Sequence, residues 1–133
     1  MKKKKGECNM ANIIFYRCER CGNMVALLKN GGGTLVCCGQ EMKALKANTT
    51  DASQEKHVPD IVKEDGKIKV QIGSTLHPSL PEHYIEWIAL VSEDKLWVTY
   101  LKPGMEPKAE FPEVEFGSVY EYCNLHGLWK ADF

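Results

Sequence analysis

The stretch Ile61-Val62-Lys63-Glu64-Asp65-Gly66-Lys67-Ile68-Lys69-Val70-Gln71-Ile72 decides the fold class. Two runs rich in β-branched residues flank Glu64-Asp65-Gly66, and Asp-Gly between such runs predicts an antiparallel hairpin. Downstream, residues 84–91 carry Ile85, Trp87, Ala89 and Val91 at period two, which predicts one buried face. Residues 95–102 alternate again, Leu96, Val98 and Tyr100 against Trp97, Thr99 and Leu101, until Pro103-Gly104 ends the run. Residues 109–116 and 119–122 supply the last strands. Short strands separated by turn signals predict an immunoglobulin-like antiparallel β-sandwich over residues 47–133. Its start, residues 47–56, is polar and reads as a linker with room for one helical turn.

Upstream lies a second, smaller unit. Residues 13–46 hold the apolar run Ile13-Ile14-Phe15-Tyr16, a Cys18-x-x-Cys21 turn, a second run over residues 24–28, a Gly31-Gly32-Gly33 turn, and Thr34-Leu35-Val36 leading into Cys37-Cys38-Gly39. Two or three short strands around a metal fit this pattern. So little apolar surface cannot stabilise such a module alone, so the metal supplies much of its folding free energy. Residues 1–12 show no periodicity and read as a flexible basic terminus. The class is therefore mainly β, a metal-stapled module followed by a sandwich.

Composition removes several functions. The 133 residues carry 17 basic and 18 acidic side chains, a net charge of −1. Four of the positive charges are Lys2-Lys3-Lys4-Lys5; without them 13 basic face 18 acidic residues, a body of −5. Such a body makes a poor nucleic-acid binder, which needs a basic face. The lysine run reads as a solvated terminus rather than a docking arm. No apolar stretch reaches membrane-spanning length, since Glu86 interrupts residues 84–91. The lysines have no apolar segment behind them, which argues against a secretory signal. The cysteine spacing looks like metal knuckles rather than a disulfide framework and so points to a reducing cytoplasm.

Two constellations carry chemistry. Cys18 and Cys21 sit on one tight turn, where Gly22 suits the geometry. Cys37 and Cys38 have no spacer, so binding one ion through both needs a bent backbone, which Gly39 permits. Four thiolates suit iron or zinc, and a disulfide is the remaining alternative. Cys8 falls outside the pattern and reads as a free thiol. The second constellation uses every histidine of the chain: His57, followed by Val58-Pro59; His77, before Pro78; His83, opening the 84–91 run; and His126, in Cys123-Asn124-Leu125-His126-Gly127. Any one of them alone reads as an ordinary core or surface histidine. Four imidazoles and a thiolate together would make a five-coordinate, redox-capable site unlike the closed tetrahedron of structural zinc.

The motifs Glu55-Lys56-His57-Val58-Pro59, His77-Pro78, His83-Tyr84-Ile85-Glu86-Trp87 and Cys123-Asn124-Leu125-His126-Gly127 resemble those of the desulfoferrodoxins, two-iron superoxide reductases. Residues 13–46 are similar to the desulforedoxin module of that family. The longer lysine-rich start with Cys8 departs from the pattern.

The resemblance implies two non-haem irons, one on Cys18, Cys21, Cys37 and Cys38, the other on His57, His77, His83, Cys123 and His126 with a sixth position open. It implies one-electron reduction of superoxide to hydrogen peroxide, a rubredoxin-like electron donor, a homodimer and a cytoplasmic location. Lys56 would draw superoxide and orient the proton-delivering water, and Glu55 would occupy the open position of the oxidised site. Taken as residues alone, that pair is a solvated charge pair on a loop. A pure two-iron electron carrier, and two structural zinc sites, are the competing readings.

Overall fold

Residues 13–133 are described by the computed structural model of the chain, and they fall into two units, residues 13–46 and 47–133. The lysine run and Cys8 lie outside the described residues. In the first unit β1 (Ile14–Arg17) and β2 (Met24–Leu27) form a hairpin around the Cys18–Cys21 turn, with Ile14 opposite Leu27 and Arg17 opposite Met24. Three two-residue strands follow: β3 (Val36–Cys37), β4 (Gln40–Glu41) and β5 (Lys43–Ala44). The sheet order is β2-β1-β5, and β3 pairs with β4. Among the described residues of this unit only Phe15 and Cys18 are buried.

The second unit opens on a single helical turn, α1 (Gln54–His57), and continues entirely in strands. β6 (Pro59–Glu64) and β7 (Lys67–Ile72) pair through Glu64 and Lys67, leaving a two-residue turn. Asp65 and Gly66 both take positive φ, 56° and 71°. Such a turn matches the right-handed twist of the strands, and Asp-Gly tolerates it. Then come β8 (Ile85–Val91), β9 (Leu96–Tyr100), β10 (Lys108–Pro112), β11 (Ser118–Cys123) and β12 (Gly127–Asp132). Two antiparallel sheets result, β10-β7-β6 and β12-β11-β8-β9. Ile68, Val70 and Ile72 of the first join Ile85, Ile88, Leu90, Val119 and Cys123 of the second, with Phe111, in one core. No helix among the described residues is long and apolar enough to cross a membrane.

The first unit has five strands where two or three were expected, and three details of the sandwich also differ from the sequence expectation. The residue-109 strand stops at Pro112, short of the expected 116, because Pro112 lacks an N–H for the ladder and Glu113 turns to bond the Gly66 carbonyl. β12 was not expected; the Cys123–His126 ligand loop doubles as the turn of a β11–β12 hairpin, with Gly127 at φ 81°. The third difference bears on the site. The period-two face of residues 85–91 is broken by a bulge: Cys123 faces Ile85 while Tyr122 faces Trp87, so Glu86 is the extra residue. Its carbonyl accepts the Leu101 N–H at 2.9 Å instead. A bulge moves the residues beyond it to the other face. Ile85, Ile88 and Leu90 therefore share the core, while Trp87 stacks on Tyr122 on the far side, with centroids 6.2 Å apart. Ala89 and Val91 are buried too, so this strand is covered on both faces.

Candidate metal centres

In the first unit all four cysteines converge. The ligand atoms of Cys18, Cys21, Cys37 and Cys38 lie within 4.8 Å of one another. Residues 18–22 make the tight turn, closed by Gly22 N–H on the Cys18 carbonyl at 2.9 Å. The adjacent pair reaches one point because Cys38 itself takes φ 55°, with Gly39 following at 76°. Alternating extended backbone would have sent the two sulfurs apart. Backbone N–H groups of Cys21 and Asn23 point at the Cys18 and Cys21 sulfurs, both at 3.4 Å, and the Asn23 amide donates to the Cys37 sulfur at 3.7 Å.

Four sulfurs this close fit a shared cation. The Cys21 N–H, the largest influence on Cys18, helps hold its thiol down at about 6. Cys38 is pushed up to about 12, first by its hydrogen bond to the Cys21 sulfur, with Cys18 and Cys37 acting alike. One thiolate forms readily and opposes the next, and a bound cation would favour the charged form of all four sulfurs.

In the second unit the four imidazoles form a closed ring. Neighbouring centroids are 4.8 Å (His57–His77), 4.6 Å (His77–His83), 5.0 Å (His83–His126) and 4.9 Å (His126–His57) apart. Each neighbouring pair is close to perpendicular, between 72° and 89°, while His57 and His83 face each other across the ring at 6.4 Å. Cys123 lies against this ring, its sulfur 3.5 Å from His77 Nε2 and 3.9 Å from His126 Nδ1. The ligand atoms of His57, His77, His83 and Cys123 lie within 4.8 Å of one another, and His126 Nδ1 joins them 3.1 Å from His57 Nε2.

The tautomers follow from the outward nitrogens. His57 Nδ1–H donates to the Ser53 carbonyl and His77 Nδ1–H to the Pro78 carbonyl, each at 2.6 Å, which turns a bare Nε2 inward on both rings. His83 Nε2 is buried and has no hydrogen-bond partner. His126 differs by presenting Nδ1, since only three residues separate it from Cys123. Burial holds His77 down at about 4 and depresses His57 and His83 as well, so these imidazoles are neutral, the form that binds metal. Burial raises the Cys123 thiol, and a bound cation would reverse that. An orphaned buried nitrogen, bare inward nitrogens and one buried sulfur together fit a metal ion.

The sequence did not reveal what braces this ring. Asn124 ties the Cys123 loop to the His83 segment three times: its N–H to the Tyr84 carbonyl (3.2 Å), its side-chain oxygen to the Tyr84 N–H (2.9 Å) and its amide to the Glu82 carbonyl (3.1 Å). Leu80 and His83 bond each other's backbone in both directions. Glu121, two residues before Cys123, is fully buried between strand neighbours Ile88 and Trp129; neither carboxyl oxygen has a partner, and burial holds it well above the usual carboxylate range. No motif signals any of these residues, because their roles depend on neighbours distant in sequence.

Glu55 and Lys56 are exposed on α1, directly before the buried His57. The Gly73–Thr75 turn fixes them: Thr75 N–H and the Ser74 hydroxyl both bond the Glu55 carbonyl, at 3.1 and 3.3 Å. Gly73 has φ 84°, and a Cβ there would stand 2.7 Å from the Lys56 Cα, so no larger residue fits. The Lys56 charge is close enough to contribute to depressing both His57 and His83. His57, His77 and Cys123 are buried whereas His83 and His126 are partly exposed, so the ring reaches the surface on one side.

Known proteins resemble both units. The desulfoferrodoxin family model matches residues 49–132, and that of the desulfoferrodoxin N-terminal domain matches residues 12–45. The chain is 51% identical over 119 residues to a desulfoferrodoxin of Desulfarculus baarsii, covering 88% of this chain and 94% of that one. It is 50% identical over 121 residues to that of Clostridium acetobutylicum, covering 91% and 97%. The solved superoxide reductase from Treponema pallidum aligns with a TM-score of 0.74 at 28% identity, over 91% of this chain and 99% of the other. The four-cysteine cluster and the histidine–cysteine cluster are consistent with two-iron binding of the desulfoferrodoxin type.

Proposed function

The chain belongs to the desulfoferrodoxin family, and on that premise we propose that it is a superoxide reductase acting at the histidine–cysteine site. The observation that carries the reading is the donor set: four imidazoles in a ring and one thiolate, partly exposed, with the exposed Lys56 adjoining His57 in the chain. His57, His77, His83, Cys123 and His126 would hold an iron that would supply one electron, so that superoxide, that electron and two protons would give hydrogen peroxide. Imidazoles keep such an ion divalent, and the thiolate adds electron density that favours the ferric product.

The chain's own residues do the rest. Lys56, on a turn pinned by Gly73–Thr75, presents a positive charge on a net-negative body and draws the anion to the site. Its ammonium also orients the water that delivers a proton, which the exposed position allows. Glu55, exposed on the same turn, would offer a carboxylate to an oxidised iron held there. A rubredoxin-like donor returns the electron. The small unit pairs with its copy in a homodimer, a reading supported by Leu28 and Val36, 79% and 62% exposed on a unit with little core. Cysteines grouped as metal ligands rather than joined in disulfides suit a reducing cytoplasm.

Rapid mixing of the ferrous protein with superoxide tests the reaction. Stoichiometric peroxide with no dioxygen is expected. Slow oxidation, or dioxygen released in the proportion of a dismutase, would sink the assignment.

A further inference from the structure

His57 and His126 stand 69 residues apart in sequence, yet one side chain touches both. Trp129, on β12, is 1% exposed. Its indole lies stacked on the His57 imidazole, with centroids 4.8 Å and planes 22° apart. Its Nε1–H donates to the His126 carbonyl at 3.1 Å.

The two contacts restrain different freedoms. The Ser53 carbonyl fixes one edge of the His57 ring but leaves it free to tilt about that hydrogen bond. The indole face removes the tilt. His126 presents Nδ1, the ring nitrogen nearest its own backbone, so the donor atom follows the main chain closely, and the indole N–H holds that main chain. His57 and His126 are adjacent corners of the imidazole ring, 4.9 Å apart and 89° between planes.

We infer that Trp129 is a positioning residue, setting the plane of His57 and the placement of His126 together as two neighbouring corners of the metal site. The inference rests on reading these histidines as ligands, but not on the reaction at that site. An aromatic ring supplies the face without the donor, and an aliphatic side chain supplies neither, so the two functions separate by substitution.

The test uses the full chain as wild type, Trp129→Phe and Trp129→Leu. Anaerobic ferrous binding to each centre is followed, then the electron paramagnetic resonance signal of each ferric centre. The four-cysteine centre serves as an internal control. Trp129→Leu should weaken iron binding at the histidine–cysteine site about 10- to 100-fold, the usual cost of losing a partner behind metal ligands, and alter its ferric signal. Trp129→Phe should fall between, and the four-cysteine centre should be unchanged.

Wild-type affinity and signal in both variants would overturn the inference. So would equal iron loss at both centres, or a drop in metal-free thermal stability with the ferric signal intact, since either means ordinary core packing. A wild-type chain that binds no iron at this site would overturn the inference and the ligand reading alike. Iron bound as expected, but no peroxide formed from superoxide, would remove only the proposed reaction.

Discussion

The two units bind metal for opposite structural reasons. In residues 13–46 only Phe15 and Cys18 are buried, and the strands run two to four residues. There the metal site is the core. In the sandwich, two sheets enclose a continuous apolar cluster from Ile68 to Cys123, and the metal ligands hang from its edge. There the fold exists first and the site is mounted on it. One chain thus shows a site that creates its fold and a fold that creates its site.

Removing metal should break this contrast most. Cys18→Ser, or chelation, should unfold the first unit outright, since a structural metal of this kind carries on the order of 10 kcal/mol of its folding free energy. The sandwich should keep its strands, and amide hydrogen exchange read unit by unit would show this. Exchange rising equally in both units would mean the sandwich also depends on metal.

The converse change comes next. Phe111, 4% exposed in the sandwich core, costs about 3–5 kcal/mol when cut to alanine. Urea unfolding should register that loss for the sandwich, while the four-cysteine centre keeps its visible spectrum at low denaturant. If that spectrum disappears together with the sandwich, the two units do not fold separately.

Asn124 tests how the fold holds its site. Asn124→Ala removes two of the three bonds joining the Cys123 loop to the His83 segment and should weaken iron binding there about 10-fold or more. Competition with a chelator measures it; an unchanged affinity would show that the core alone positions the ligands. The smallest effect belongs to Lys56, which binds no metal in this reading. Lys56→Ile should slow the encounter with superoxide about fivefold at low salt, and the difference from wild type should fade as salt screens the charge. Equal rates at low salt would end its role in steering.

Much of the fold was legible from local rules. The Asp65-Gly66 hairpin signal announces β6 and β7 and their register, and alternating residues announce β9. Short-range chemistry also put every residue of both clusters in view, because cysteine and histidine are the residue types that bind such ions. The expected face of residues 85–91 failed where pairing with β11 forced a bulge at Glu86, and pairing leaves no mark in a single strand. β12 escaped notice because its turn had already been read as a ligand loop.

Residue type and spacing, then, determined that there are two metal sites and which side chains could serve them, since those properties belong to short segments. The tertiary structure decided which nitrogen each histidine turns inward, that the four rings close into a circle, and that Asn124 and Trp129 stand behind them. Each of those depends on groups tens of residues apart being packed within a few ångströms, and such contacts are set only when the sheets close.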